Sequence, residues 1–320
     1  MPHLNRLTAG PKMPVNMAID YRLPHQLAGF ELKPGQDTSL VRHSNKCVQI
    51  LPFPNAMFTA KTVQVLGISF QLLDYEKILK LFADWIPAKT AHQVCLANVH
   101  TLVTSLKDKQ LRAINDQALT AMDGTPLVWY ANLIHNAGIA GRLSGPDLML
   151  ECLDKGRSRA WKHYFLGAKP QVLSQLTLAM RQQFPGVEIV GEYAPPFREL
   201  SAAEDQQLVA DINAAQPDFL WVALGAPKQE KWIAEHLSRI QAPIQIGVGA
   251  AFDFLSGHKP RAPLALQKFG LEWLYRLLHD RRLLKRYVQT NPVFIWLFVK
   301  HWLARKVFDR FTSQVSQRKP

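Results

Sequence analysis

Short apolar runs alternate along this chain with longer segments in which apolar residues recur at helical spacing. The runs predict strands at residues 63–68, 94–97, 118–122, 163–166, 187–190, 219–223 and 244–248. The longer segments predict helices at 75–86, from 99 onward, and at 126–136, 170–184, 202–214 and 227–238. This alternation is typical of an α/β fold, here a Rossmann-like, largely parallel sheet flanked by helices.

Small or polar residues follow the predicted strands. They are Asn98, Asp123, Gly167 and the turns that begin at Gly225 and Gly247. In sheets of this type, ligands bind at the carboxyl ends of the strands. We therefore expect an open cleft at this edge of the sheet.

Two glycine turns, at residues 224–230 and 247–253, follow consecutive strands. A strand-to-helix turn presents free backbone N–H groups to an anion, so the pair predicts a nucleotide-type substrate. Away from the glycines, Lys228 and Gln229 would be ordinary exposed residues of a first helical turn. The candidate binding residues here are Gly225, Pro227, Lys228, Gln229, Glu230, Gly247, Gly249 and Asp253.

Asp123 and Arg142 are candidates for chemistry outside these turns. Asp123 follows an apolar run and precedes Gly124-Thr125-Pro126, and its spacing alone favours a helix cap or a turn aspartate. Arg142 opens a polar cluster at residues 142–147. It either clamps a phosphate or is a solvated surface arginine.

The composition fits a cytoplasmic protein with one large core. The chain has 320 residues, of which 48% are hydrophobic, enough to bury a sizeable core. Its cysteines, Cys47, Cys95 and Cys152, are too few and too scattered for a disulfide framework or a zinc site. No apolar stretch reaches the length of a membrane span, and no signal-peptide pattern is present.

The net charge of +13 is concentrated near the C-terminus, where residues 276–320 carry eleven lysines and arginines against two aspartates. Aromatic and basic residues interleave at 292–303, which suits an interfacial helix on anionic lipid. A helix packed on the core is an equally good interpretation. Nucleic acid would also explain the charge, but no nucleic-acid-binding motif accompanies it.

Three regions are predicted. Residues 1–60 lack sustained periodicity and form an N-terminal extension that is poorly ordered or loosely docked. Residues 61–270 form the α/β domain, and 271–320 a basic, aromatic, helical appendage.

Several motifs, in this order, resemble those of the WecG/TagA/CpsF glycosyltransferases. The resemblance covers residues 62–290, and so many motifs in sequence make it specific. They lie at residues 98–100, 122–124, 142–148, 165–167, 225–230, 247–253, 257, 261–263 and 270–276.

The resemblance implies an inverting transferase that moves a sugar from a UDP donor to a polyprenyl-diphosphate-linked sugar. Such reactions serve bacterial surface polysaccharide or exopolysaccharide biosynthesis. The implied donor sugar is of the N-acetylmannosamine type, its uronic acid, or glucose. Leu96 stands where family members commonly carry a threonine, which leaves this choice open.

The resemblance also assigns roles to residues. Asp123 is implied as the general base, Asn98 and Gln229 as contacts of the donor sugar or its pyrophosphate, and Arg142 as a phosphate contact. Arg261 lies in a matched motif and is a further substrate-binding candidate. Arginines of the appendage are implied to cover the active site and to help it meet the cytoplasmic face of the membrane; they are Arg276, Arg282 and Arg286.

No two aspartates stand two apart, as they do in the Asp-x-Asp pair of metal-dependent transferases. We therefore expect a metal-independent reaction with no cofactor, in which backbone N–H groups of the glycine turns, Lys228 or the arginines stabilise the departing diphosphate. The expected partners are the UDP-sugar, the lipid-linked acceptor and the membrane, with no nucleic acid. Assembly into a homo-oligomer is left open.

Two other functions remain open from the sequence. Gly247-x-Gly249 is also found in the turns of NAD-dependent oxidoreductases, although Phe252 replaces the third glycine of that motif. The basic tail alone would equally fit a non-catalytic, anionic-lipid-binding scaffold of polysaccharide assembly.

Overall fold

The computed structural model describes residues 42–43, 46–47 and 61–317, with side chains from residue 61 to residue 307. The chain divides into two units, residues 1–49 and 50–320. In the first unit, β1 (Arg42–His43) and β2 (Lys46–Cys47) pair antiparallel. The predicted extension, residues 1–60, otherwise lies outside the described residues, and the boundaries at 60 and 270 stay predictions.

The second unit is built on a six-stranded parallel sheet with strand order β6-β5-β10-β9-β7-β8. This arrangement confirms the predicted fold class. The strands are β5 (His92–Ala97), β6 (Leu119–Met122), β7 (Lys162–Gly167), β8 (Glu188–Tyr193), β9 (Phe219–Ala223) and β10 (Ile244–Gly247).

The prediction of one continuous strand at residues 63–68 is wrong, because the chain turns back on itself within this segment. It forms an antiparallel hairpin of β3 (Thr62–Val65) and β4 (Ile68–Gln71), apart from the main sheet. Leu66 and Gly67 have φ angles of 50° and 84°, as a two-residue hairpin turn requires. The glycine inside an apolar run was the signal for this turn.

Helices connect and cover the strands. The helix predicted from residue 99 onward begins at Val99 and ends at Ser105. Asp108 then caps a second helix by accepting the N–H of Leu111 at 3.0 Å. The helices are α1 (Tyr75–Ala88), α2 (Val99–Ser105), α3 (Lys109–Gln117), α4 (Thr125–His135), α5 (Gly145–Gly156), α6 (Pro170–Gln183), α7 (Ala202–Ala215), α8 (Lys228–His236), α9 (Ala251–Leu255), α10 (Leu264–Lys268), α11 (Glu272–His279) and α12 (Leu283–Gln317).

Both faces of the sheet are buried, which explains why its strands are continuously apolar. Along β9, Phe219 and Trp221 join the cluster formed with α1, α5 and α6. Leu220 and Val222 join the cluster formed with α7 and α8 on the other face. The strands are thus fixed from both sides, and their carboxyl ends provide a rigid edge for a site.

The long helix α12 has two different faces. Phe294 is buried and Phe298 partly buried against the core cluster that contains residues of α2 and α4. Other large apolar side chains of α12 are exposed, among them Trp296 with 62% of its surface accessible. The core-packing interpretation of residues 292–303 therefore holds for one face of α12, and the interfacial interpretation stays a prediction for the exposed face. In the part of the chain that the structure describes, no helix is both long and apolar enough to cross a membrane.

Candidate active site

A cavity of about 1280 Å³ lies at the carboxyl ends of β5, β6, β9 and β10, and residues of α11 and α12 line its other side. It brings together most of the residues that the sequence singled out. Those lining it are Asn98, Asp123, Arg142, Gly225, Gln229, Glu230, Gly247, Gly249, Asp253, Arg276, Arg282 and Arg286.

Three candidates lie outside this cavity. Pro227 lines neither cavity, and Lys228 lines a neighbouring one of about 660 Å³. Arg261 forms a bidentate ion pair with Asp147, with N–O distances of 2.5 and 2.7 Å, and donates to the hydroxyl of Ser144 at 3.2 Å. Because Ser144 caps α5, Arg261 fixes the start of that helix.

Asp123 lies directly after β6, and its backbone N–H donates to the carbonyl of Ala97 at 2.9 Å. The interpretation of Asp123 as a helix cap is wrong, because Gly124 is the N-cap of α4 and no side chain caps that helix. Among the described residues, the one cation within 4.0 Å of the Asp123 carboxylate is Arg142, whose Nη1 lies 3.9 Å from Oδ1. This ion pair is long, and no hydrogen bond joins the two groups.

The surroundings of Asp123 make it a better base than an ordinary aspartate. Burial, reinforced by the negative charge of Glu272, raises the pKa of Asp123 to about 7, against the opposing effects of Arg142, Arg276 and Arg261. A quarter of the side chain remains exposed. At neutral pH such a group is poised to accept a proton from a bound hydroxyl.

Gln229 ties the two glycine turns together. Its Oε1 accepts the backbone N–H of Gly225 at 3.2 Å and that of Gly249 at 3.0 Å. A Cβ atom on Gly247 would lie 2.7 Å from Nε2 of Gln229, so only glycine permits this approach. The sequence predicted that N–H groups of these turns face a diphosphate, but these two are already taken up by Gln229.

Glu230 lies beneath the same turns and is almost fully buried. Its Oε1 accepts from Nε2 of Gln229 at 3.0 Å, and its carbonyl accepts from Nε2 of Gln93 at 2.8 Å. Its Oε2 has no hydrogen-bond partner among the described residues. Burial raises the pKa of Glu230. The chain from Gln93 through Glu230 to Gln229 thus connects β5 to the turns after β9 and β10.

Asn98 and Arg286 meet on the opposite side of the cleft. Oδ1 of Asn98 caps α2 by accepting from His100 N at 3.0 Å and Thr101 N at 3.3 Å, and it also accepts from Nη2 of Arg286 at 3.4 Å. The amide nitrogen of Asn98 donates to none of the described residues and is available to a ligand.

Arg286 is a half-buried cation that has no close counter-ion among the described residues. Among the described residues, no carboxylate pairs with it, and its Nε donates to no acceptor. Burial lowers the pKa of Arg286. Burying a charge without a partner is costly, so this position is suited to an anionic ligand that supplies the missing charge.

Two other cations at the cavity, Lys259 and Arg282, are bound to acidic residues. Lys259 lies 2.9 Å from Oδ2 of Asp253 and 3.3 Å from Oδ2 of Asp280, and Arg282 pairs with Asp280 at 2.9 Å. Arg282 and Lys259 lower the pKa of Asp280 to about 2. This chain of charges connects the residues after β10 to the start of α12.

Glu272 and Phe197 are among the residues at the cavity that were not assigned any role from the sequence. Glu272 forms an ion pair with Arg142, so the predicted phosphate contact of Arg142 stays a prediction and would compete with this carboxylate. Glu272 lies in a matched motif, which was its only signal. Phe197 is 92% exposed and lines both cavities, but nothing in its loop sequence marked it.

Comparison with known proteins decides between the enzyme classes. The model of the glycosyl transferase WecG/TagA/CpsF family matches residues 63–307. The chain belongs to this family. It is a glycosyltransferase, and this assignment displaces the oxidoreductase and scaffold interpretations.

Curated relatives agree. Three proteins of Staphylococcus aureus, from strains MW2, NCTC 8325 / PS 47 and MRSA252, are each 26% identical over 245 residues, which is 76% of this chain and 93% of the relative. Each is named N-acetylglucosaminyldiphosphoundecaprenol N-acetyl-beta-D-mannosaminyltransferase.

The raised pKa of Asp123 predicts that Asp123→Asn stabilises the folded protein at alkaline pH. At pH values below the ordinary aspartate pKa, Asp123 is protonated in both the folded and the unfolded state. The substitution then adds little to the free energy of unfolding. As pH rises towards 7 the unfolded chain ionises first, so the ionisable aspartate increasingly costs stability, and above 7 the cost is constant. We expect a gain on the order of 4 kcal/mol at pH 8, because each unit of pKa shift corresponds to about 1.4 kcal/mol.

Urea unfolding of both proteins from pH 4 to pH 8 measures this gain. Asp84→Asn, at an exposed position of α1, is the matched control. A stability difference for Asp123→Asn that is flat across the range would contradict the raised pKa.

Proposed function

We propose that this protein is an inverting, metal-independent transferase that moves a sugar from a UDP donor to a polyprenyl-diphosphate-linked sugar. The observation that carries the proposal is that one cavity contains both Asp123, a carboxylate with a pKa of about 7, and Arg286. Arg286 is a half-buried arginine with no close counter-ion among the described residues. A transfer from a sugar diphosphate needs both a base and an anion site.

In the proposed reaction, Asp123 accepts the proton of an acceptor hydroxyl as that oxygen attacks the anomeric carbon of the donor. The new glycosidic bond forms on the face opposite UDP, while the bond to the diphosphate oxygen breaks. The proton passes later from Asp123 to solvent. A single displacement of this kind inverts the anomeric configuration.

Arginines, rather than the turn N–H groups, are suited to stabilise the departing UDP. Arg286 and Arg276 line the cavity with Asp123, and guanidinium groups bind phosphate oxygens in a bidentate manner. The free amide nitrogen of Asn98 adds a donor beside Arg286. Among the described residues, no group of three or more His, Cys, Asp or Glu side chains is placed to hold a metal ion.

The names of the relatives support an N-acetylmannosamine-type donor and an acceptor that carries N-acetylglucosamine on undecaprenyl diphosphate. Leu96 lines the cavity next to Asn98 and presents no hydroxyl to the donor sugar. For this reason the uronic acid of N-acetylmannosamine and glucose belong in the same donor panel.

The cavity also suits a substrate with a lipid chain. Its wall beyond the arginines is apolar, and this part is formed by α4 and α12. We propose that the acceptor's polyprenyl chain leaves along this wall while the exposed face of α12 rests on the cytoplasmic face of the membrane. The lining side chains here are Trp129, Leu283, Tyr287, Phe294, Ile295 and Phe298.

The transferase activity is tested by UDP release with the three UDP-sugars, an undecaprenyl-diphosphate-linked N-acetylglucosamine analogue, and EDTA. Release is expected only with both substrates and in the presence of the chelator. Asp123→Asn should reduce the rate by at least about 100-fold while UDP still binds. Release that EDTA abolishes, or full activity of Asp123→Asn, would overturn the corresponding part of the proposal.

The anion site is tested by calorimetric titration of UDP. Arg286→Gln should weaken UDP binding by roughly tenfold or more, because a charge-assisted hydrogen bond contributes about 1.5–3 kcal/mol. Lys285→Gln, which removes the same charge from the neighbouring exposed position, is the control and should bind UDP as the parent does. Equal effects of both variants would indicate only a general electrostatic attraction.

Membrane docking is tested by sedimentation with liposomes that contain anionic lipid. The double variant Trp296→Ser and Trp302→Ser should bind several-fold more weakly, because each loses apolar area that would enter the interface. Leu178→Ser, at an exposed apolar position of α6, is the matched control. Unchanged binding of the tryptophan variant would show that this face of α12 does not meet lipid.

A further inference from the structure

Three charged side chains follow one another across the cleft: Glu272 of α11, Arg142 after α4, and Asp123 after β6. Nη2 of Arg142 donates to Oε2 of Glu272. Nη1 of Arg142 donates to the main-chain carbonyl of Asp123 at 3.3 Å, whereas it lies 3.9 Å from the carboxylate atom Oδ1. Only 18% of the Arg142 side chain and 12% of the Glu272 side chain are exposed.

Both ends of the Arg142 fork are therefore occupied by acceptors other than the Asp123 carboxylate. An arginine that pairs directly with a carboxylate favours its ionised form and makes it a weaker base. Arg142 is close enough to form such a pair, since a small movement of its guanidinium would bring Nη1 within hydrogen-bond distance of Oδ1. The contact with Glu272 keeps the guanidinium of Arg142 turned away from Oδ1 of Asp123.

We propose that Glu272 is a positioning residue for the base: it holds Arg142 away from the Asp123 carboxylate and so keeps that carboxylate free to accept a proton. The inference rests on the proposed role of Asp123 as the base. In this role Glu272 keeps the Asp123 carboxylate a stronger base, whereas the arginines of the same C-terminal segment make that carboxylate a weaker base.

Other groups also act on Asp123 and have to be held constant in any test. Burial is the largest influence, and the charged or titratable side chains that face Asp123 come from several elements. They are Tyr75 of α1, Arg142 after α4, Arg261 after α9, Glu272 and Arg276 of α11, and Arg286 of α12.

Because Glu272 belongs to α11, its contact with Arg142 depends on α11 staying packed in its present place. Glu272 is the first residue of that helix, and Gly270 just before it lies so close to α4 that an added Cβ would be 3.1 Å from the side chain of Thr125. Where α11 leaves this place, Glu272 leaves Arg142, and the guanidinium is free to pair with Asp123.

The test is a direct titration of Asp123 in the full-length protein by NMR of ¹³C-labelled aspartate carboxyl groups, with the signal assigned from Asp123→Asn. In Glu272→Gln the midpoint of Asp123 should fall by roughly one pH unit or more, because the negative charge is lost and Arg142 turns to Asp123. Glu235→Gln, which removes an exposed acid from α8, should leave it unchanged. An unchanged or raised midpoint in Glu272→Gln would overturn the proposal.

A second comparison separates positioning through Arg142 from a direct effect of the Glu272 charge. In an Arg142→Gln background, Glu272→Gln should lower the Asp123 midpoint by less than half as much as it does in the parent, because the two residues act as a unit. Equal lowering in both backgrounds would overturn the proposal. If Glu272→Gln does not fold, Glu272→Asp replaces it in both backgrounds, with a smaller lowering expected in the parent and the same two outcomes deciding.

The kinetic counterpart is the pH profile of kcat/KM for sugar transfer. Its acidic limb should move to lower pH in Glu272→Gln, together with a reduced plateau rate. A reduced plateau with an unmoved limb would indicate a merely structural role. Since the NMR titration needs no turnover, a protein that shows the NMR shift but no transfer would refute the proposed function and leave the positioning role standing.

Discussion

The site depends on one electrostatic constraint, the burial of a carboxylate among arginines without a close ion pair to any of them. Burial alone favours the protonated form of Asp123, while Arg142, Arg276 and Arg261 favour the ionised form. Burial outweighs the arginines, which limit the rise, and the pKa of Asp123 is about 7. A direct arginine pair would make the group a weak base, and a fully apolar pocket would leave it protonated at neutral pH.

The rest of the fold keeps this balance by making the floor of the cleft rigid. Asp123 is held by its backbone bond to Ala97, so its place is set by the β5–β6 pairing. On the other side of the cleft, Gln229 fixes both glycine turns from within, and Glu230 and Gln93 hold it to β5. Few polar groups of the floor are left to reorganise when a charged ligand enters, which is the condition for electrostatic preorganisation.

The sequence was sufficient for the main sheet because buried parallel strands are short, continuous apolar runs that periodicity detects. It was insufficient at residues 63–68, where a glycine inside such a run marks a hairpin turn. For the site, most of the candidates named from the motifs line one cavity, but the sequence did not show which residues contact them. Three contacts could not be predicted, because each joins segments that are distant in sequence and no local pattern contains it. Gln229 accepts two N–H groups of the turns, Arg261 pairs with Asp147, and Glu272 pairs with Arg142.

The C-terminal segment joins two requirements that are usually met by separate parts of an enzyme. Its helices carry the arginines that line the cavity and the acid that holds Arg142, and the same α12 presents exposed tryptophans on its outer face. A force that seats α12 against lipid therefore also acts on the positions of Arg286 and, through α11, of Glu272. Under the proposed function, the base and the anion site would be complete only while this segment is docked. Hydrolysis of the donor by water would then be disfavoured wherever the lipid-linked acceptor is absent.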